Sequence, residues 1–318
     1  MGVGASETKH LPVLPDETLE LLGDVDGGTV IDCTLGFGGH SLAVLERFPN
    51  ASVIAIDQDE EAIKLAEPRF KEFEGRIKLV HANFSEIRNV IEQTANTKVN
   101  AIIADLGVSS MQIDSETRGF SFRFDAPLDM RMDKSADVPT AAELLATLSE
   151  FDIADVIYRF GEERHSRKIA RRIVAEREAG RPIETTTQLA ELVARSVPRG
   201  KKHLINPATR TFQALRIKVN AEIDILEDFL KDSVEMLGVD GVLAIITFHS
   251  LEDRVVKTAF QRFAGKCICP PKIPQCVCNA KKVAEILTRK PIVPSEEEQS
   301  RNPRSRSAKL RAIKKLSN

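Results

Sequence analysis

The 318-residue sequence has no tryptophan and one tyrosine, so base stacking on large rings has little to draw on; Phe120, Phe122 and Phe124 form the densest aromatic stretch. No apolar run approaches the roughly 18 residues of a membrane span, so no membrane is expected as solvent or partner. Met1 to His10 lack both the basic start and the apolar core of a secretory signal, which leads to an expected cytoplasmic location. Cysteine is scarce as well: five residues, four of them between Cys267 and Cys278, make no disulfide framework for a chain this long. Cys267-x-Cys269 and Cys276-x-Cys278 offer four thiolates, but paired zinc ligands usually stand two or more residues apart. No metal is therefore assigned, and a zinc knot and a proline-stiffened reduced loop both stay open.

What is present is an ordinary globular composition, 42% hydrophobic and 29% charged, ample for a core without staples. The net charge of -2 hides two basic stretches, Arg159 to Lys218 and Lys281 to Lys315. Two such segments in a near-neutral chain point to a polyanionic partner, against the plainer reading of solvated helix faces and a loose tail.

The first hundred residues alternate short β-branched runs with amphipathic stretches, the pattern of βαβ units around a parallel sheet. Strands are expected at Thr29 to Cys33, Ser52 to Ile56, Ile77 to Val80 and Val99 to Asp105. Helices are expected at His40 to Phe48, Asp59 to Phe73 and Ser85 to Thr94, with Asp59 and Ser85 as N-caps. The next buried strand is Val242 to Phe248, after a Gly238 to Gly241 turn and before a helix from Leu251 to Phe263. A crossover needs only tens of residues, so the helix-rich stretch 112–206 reads as an inserted all-helical domain within a discontinuous domain of 1–111 and 207–318. Pro207 to Leu237 reads as one helix, and Ala284 to Arg289 with Ser307 to Ile313 as a closing antiparallel pair.

Chemistry concentrates in Asp32-Cys33-Thr34-Leu35-Gly36-Phe37-Gly38-Gly39-His40, a glycine loop leaving one strand and opening a helix. Glycines there let backbone approach a ligand. Asp57, twenty-one positions after Gly36, ends the second strand, where an acid can bind both hydroxyls of a ribose. A dinucleotide loop would need a third glycine where Ser41 stands. Lacking it, the loop suits S-adenosylmethionine, which has no pyrophosphate to place on the helix N-terminus.

Further segments carry a resemblance along nearly the whole chain. They are His10 to Leu14, Gly36 to Ser41, Asp105-Leu106-Gly107-Val108-Ser109-Ser110, Arg118 to Phe122, Pro127 to Asp133, Tyr158 to Glu163, Ala208 to Ala214, Phe248 to Arg254 and Asn302 to Ser307. In this order they resemble the RsmH (MraW) family, the ribosomal RNA small-subunit methyltransferases H. The resemblance implies an α/β, Rossmann-like class I S-adenosylmethionine-dependent methyltransferase that methylates the N4 amino group of a cytidine in the decoding region of 16S rRNA. Its implied partner is thus 16S rRNA or the small ribosomal subunit. The implied cofactor residues are Gly38, Gly39, His40, Asp57, Phe84, Asp105 and Gln112. On their own residue types, Phe84 would read as core, His40 as a helix-start residue and Gln112 as a loop amide.

A cytosine amine is a weak nucleophile because its lone pair is shared with the ring, so orientation and nearby acceptors must carry the rate. Many amino-methyltransferases place an acidic or amide residue followed by prolines and an aromatic after the fourth strand. Here that loop is Asp105 to Ser110, which leaves the catalytic acceptor unassigned among Asp105, Ser109 and the loop carbonyls. Arg164, Arg167, Lys168, Arg171 and Arg172 can share a helix face and meet phosphates, with Lys201, Lys202 and His203 as a second cluster. An internal charge network with Glu162 and Glu163 is the alternative for the first cluster. Methylation of a protein or small molecule, or RNA binding with a vestigial cofactor site, are the rival functions.

Overall fold

The computed structural model describes residues 11–94, 98–198, 206–267, 269, 277 and 281–316. The chain begins α1 (Pro15–Leu22), β1 (Thr29–Asp32), α2 (Gly39–Arg47), β2 (Ser52–Asp57), α3 (Glu60–Ala66), β3 (Ile77–His81), α4 (Ile87–Thr94), β4 (Val99–Asp105). It continues with α5 (Ser110–Asp114), α6 (Ala141–Thr147), α7 (Glu150–Gly161), α8 (Ser166–Glu178), α9 (Thr186–Ser196) and α10 (Ala208–Val219). It closes with α11 (Leu226–Met236), β5 (Leu237–Thr247), α12 (Ser250–Phe263), β6 (Ala284–Ile286), α13 (Glu296–Arg301) and β7 (Lys309–Lys315). Two compact units result: Met1–Gly107 with Ile225–Asn318, and Val108–Asp224.

The first unit is a seven-stranded sheet in the order β3-β2-β1-β4-β5-β7-β6, parallel from β3 to β5, with β7 antiparallel to both its neighbours. Alternate strand residues face opposite sides, and both sides are covered. On one, Ile31, Ile54, Ile102 and Leu243 meet Ile87 and Ile91 of α4, Phe229 and Leu230 of α11, and Val256 and Phe260 of α12. On the other, Val30, Val53, Ala101 and Val242 pack with Leu14, Val44, Leu45 and Phe70. Cys33 is buried in the first of these cores, and burial pushes its thiol well above the usual range, which makes it inert packing.

Several local expectations shift. Asp59 caps α3 by accepting from Glu61 N at 3.1 Å, but the α-helix stops at Ala66 and a 3₁₀ segment, Glu67–Phe73, follows, because Pro68 has no N–H to continue the ladder. The cap before α4 is Asn83 rather than Ser85: its side chain accepts from Ser85 N while Glu86 reaches back to Asn83 N. The expected Gly238 to Gly241 turn lies inside β5 as an irregularity, with Asp240 at φ 66° and the pairing shifting between Val99/Leu237 and Ala101/Val242. β6 is shorter than expected, and β7 begins two residues later and runs on to Lys315.

The second unit is helices and irregular segments. Capping boxes start α5 (Ser109 with Gln112), α6 (Thr140 with Glu143) and α9 (Thr185 with Gln188). Between α5 and α6 the chain is held by buried Arg118, which donates to the carbonyls of Arg131 and Met132 at 3.2 and 2.8 Å. The expected single helix from Pro207 to Leu237 is two. After α10, Asn220 accepts from Met132 N and donates to Met130 O, both at 2.8 Å, and Ala221 turns to φ 52°. α10 packs on α7, with Gly161 so close to Arg210 O that a Cβ there would stand 2.5 Å away. It therefore belongs with the helical unit, whose boundaries fall at Val108 and Asp224 instead of 112 and 206.

Candidate active site

The carboxyl ends of β1, β2 and β4, adjacent in the sheet, converge on the glycine loop, the position where open α/β sheets bind ligands. Two hydrogen bonds tie these ends together and a third braces the loop after β1. Gly36 N donates to Asp57 Oδ2 at 2.7 Å, Asp105 N donates to Thr34 Oγ1 at 2.7 Å, and Thr34 N donates to Asp32 Oδ1 at 3.1 Å. Ser41, where a dinucleotide loop would carry glycine, uses its hydroxyl to donate to Asp32 Oδ2 at 2.7 Å.

Gly38 takes φ 76°, in the left-handed region that favours glycine, and a Cβ on it would overlap the ring of buried Phe70. Gly39, the first residue of α2, lies so near Pro12 that a Cβ would come within 2.9 Å of it. Both glycines are thus required by packing inside the protein, besides leaving backbone accessible to a ligand.

His40 is buried, its Nε2 3.7 Å from Asp105 Oδ2. Burial works against a charge on His40, but the negative charges of Asp105 and Asp32 outweigh it and hold its pKa above the ordinary value. Burial also raises Asp32, against the pull of His40 and the bonds from Ser41 and Thr34. His40 Nε2 and Asp105 Oδ1 have no hydrogen-bond partner among the described residues, although both atoms are buried. Unsatisfied buried polar atoms in the first turn of α2 and at the end of β4 fit an ammonium and carboxylate such as the methionine end of S-adenosylmethionine carries.

Asp57 accepts from Gly36 N and, through Oδ1, from Asp59 N at 2.9 Å. Desolvation lifts its carboxyl to about 6, despite those two bonds. Each oxygen keeps a lone pair for a further donor, as ribose hydroxyls require. Phe84, in the 3₁₀ turn after β3, stands edge-on to Phe229 with ring centroids 4.9 Å apart. Core packing thus accounts for part of its surface.

Gln112 lies in the helical unit, where its side-chain oxygen accepts from Ser109 N at 3.0 Å and Ser109 Oγ accepts from Gln112 N. That cap uses the Ser109 hydroxyl considered as a catalytic acceptor. Thr34 is the functional position that motif reading misses; a β-branched hydroxyl inside a glycine loop is its only sequence signal.

The basic stretches divide. In the helical unit, exposed Arg164, Arg167 and Lys168 have no ion-pair partner among the described residues, whereas Arg171 meets Glu150 at 3.6 Å and Arg172 donates to Ser196. Glu163 turns to Arg210 at 3.8 Å. In the C-terminal stretch, Lys309 and Arg311 bind Asp253 at 3.1 and 2.7 Å, and Lys315 Nζ donates to the carbonyls of Glu235 and Leu237. This part of the expected tail is a structural strand. Phe122 packs against Phe212 inside the helical unit. Lys201, Lys202, His203, Cys276 and Cys278 lie outside the described residues; Cys269 Sγ accepts from Val277 N at 3.4 Å.

A parallel sheet whose last long strand runs antiparallel, with a glycine loop lacking the pyrophosphate glycine and an acid ending β2, defines a class I S-adenosylmethionine-dependent methyltransferase. Sequence comparison narrows this. The chain belongs to the MraW methylase family, whose profile matches residues 7–316. A Dehalococcoides mccartyi protein named ribosomal RNA small subunit methyltransferase H is 46% identical over 312 residues, 98% of this chain and 88% of its own. A Clostridium botulinum protein of the same name is 47% identical over 311 residues, 98% of this chain and all of its own. An rRNA methylase crystal structure from Streptococcus thermophilus aligns over 95% of this chain and 94% of its own at 11% identity, with a TM-score of 0.41, too loose to carry an argument.

Proposed function

We propose that this methyltransferase modifies the N4 amino group of a cytidine in the decoding region of 16S rRNA, acting in the cytoplasm on the RNA or the small ribosomal subunit. The observation that supports it most is the match of two relatives bearing the small-subunit rRNA methyltransferase name to 98% of the chain. The sheet unit supports the same reading through its bound-ready strand ends.

In this reading Gly38, Gly39 and His40 face the methionine end of the cofactor, Asp57 holds the ribose, Phe84 flanks the adenine, and Asp105 receives the ammonium; Gln112 completes the set. When bound, S-adenosylmethionine supplies an electrophilic methyl group. The chain's own part is to orient the amine and exclude water. The carbonyls of Leu106 and Gly107, following Asp105, are the acceptors nearest in sequence for the amine hydrogens. No metal or strong base is needed for a proton that becomes acidic as the nitrogen is alkylated. The helical unit serves as the RNA clamp, with Arg164, Arg167 and Lys168 on phosphates.

The test is transfer of labelled methyl from S-adenosylmethionine to naked 16S rRNA, small subunits and total extract, followed by nucleoside digestion. N4-methylcytidine at one site is the expected product. Label appearing only in protein or small molecules, or no transfer at all, overturns the proposal.

A further inference from the structure

At the β6 edge of the sheet unit, a groove of about 540 Å³ lies between the second half of α12 and the β6–β7 ladder. Its floor is apolar, with Phe260 and Ala284 buried. Its walls are basic. Lys257 and Lys266 come from α12 and the turn after it, and Lys282 and Arg289 flank β6; all four are exposed, with no ion-pair partner among the described residues. Arg311 also lines the groove but is committed to Asp253 at 2.7 Å. Among the described residues the one lining acid is Glu285.

The groove's shape is fixed by backbone. Val283 N donates to Phe263 O at 2.8 Å, and Ala264 bridges Lys282, which clamps the start of β6 to the end of α12. The backbone carrying Lys282 is therefore held beside the end of α12. Lys257 and the helix end at Phe263 are separated by about 9 Å of axial rise, more than one phosphate group can span. α12 starts just after Thr247, where β5 ends beside β4 and Asp105, and runs back along the sheet. Lys257 stands about 10 Å along the axis from the first residue of α12.

We propose that this groove binds the phosphate backbone of the substrate RNA on the strand flanking the target nucleotide. The inference rests on the RNA-methylating function proposed above. A surplus of four cations over one acid, spread along a groove, suits a polyanion with regularly repeated charges better than a single small anion. The apolar floor suits the sugar edges between phosphates. The groove contributes binding and register but touches no reacting atom.

The test measures methylation of small subunits or a 16S rRNA fragment, together with direct RNA binding, at several salt concentrations. Lys282→Glu/Arg289→Glu should raise KM for RNA at least tenfold, reduce the salt slope by about 2, and leave kcat and S-adenosylmethionine affinity unchanged. Glu285→Lys should do the reverse, lowering KM and steepening the slope, which a damaged fold cannot imitate. If the wild type methylates RNA and both variants match it in KM and salt slope, the groove proposal falls alone. If the wild type transfers no methyl to RNA, the functional proposal falls and takes the groove with it. Variants that bind naked RNA normally but lose only assembled subunits would assign the groove to a protein and overturn the proposal.

Discussion

Replacing Asp57 with alanine removes one carboxylate whose two oxygens already serve Gly36 N at 2.7 Å and Asp59 N at 2.9 Å. A bound ribose adds two hydroxyl donors to the same group. Charge-assisted bonds contribute about 1.5 kcal/mol or more each, so losing both should weaken S-adenosylmethionine binding by about 3 kcal/mol, roughly 100-fold. Asp57→Asn should be no milder. Its side chain has one oxygen for two backbone N–H groups, so the amide must aim its NH₂ at one of them. The pH dependence reads the charge of the carboxylate without changing the side chain. Burial places the carboxyl at about 6, so wild-type affinity should fall about tenfold between pH 8 and pH 5, as the protonated form takes over. The sign for folding is opposite: a pKa raised from 3.8 favours the folded state below about 4, and that contribution fades as pH rises through 6. Calorimetric titration of cofactor at four pH values on wild type, Asp57→Ala and Asp57→Asn measures this. A wild-type affinity flat from pH 5 to 8, or an alanine variant within threefold of wild type at pH 8, would refute the reasoning.

Gly38→Ala should lose about 2–4 kcal/mol of stability from left-handed strain and the Phe70 overlap, measured by urea unfolding; adding Phe70→Leu should restore the steric share but not the strain. Arg167→Glu/Lys168→Glu should weaken RNA binding and flatten its salt dependence with cofactor affinity unchanged, and equal salt slopes in paired titrations would remove α8 from the RNA surface. Asp253→Ala should cost about 3 kcal/mol, because Arg311, 9% exposed, is left unpaired. Burial works against the Asp253 charge, but Arg311 and Lys309 outweigh it and hold its carboxyl below the usual range. Its contribution is therefore present above about pH 4 and lost as pH falls through the lowered value, and a wild-type acid unfolding curve matching the variant's would contradict this.

The parallel half of the sheet was legible because β1, β2 and β4 are short β-branched runs buried on both faces, and the helices between them carry one apolar face. What sequence could not supply was contact between distant segments. The break after α10 depends on Asn220 meeting the backbone of Met130 and Met132, some 90 residues earlier. The choice of Asn83 over Ser85 was closer to hand, since Glu86 stands three residues after Asn83 and completes a capping box. The C-terminal cations show the opposite limit. Counted as charge they read as a surface for a polyanion, yet Lys309, Arg311 and Lys315 sit on a strand and satisfy Asp253 and two carbonyls.

At the candidate site, spacing exposed the glycine loop and Asp57 but not the bonds that make them one structure. Asp57 supports Gly36, Ser41 supports Asp32, and Thr34 joins the loop to Asp105 at the end of β4. Gly38 and Gly39 are shaped by Phe70 and Pro12. Asp57, Gly38, Gly39 and the backbone of Asp105, which read as ligand contacts, therefore also hold the loop in place through the protein alone. A loop ordered in this way gives up little conformational freedom when a cofactor arrives, so more of the contact energy appears as affinity. The same coupling means that substitutions here report on loop order and ligand contact together.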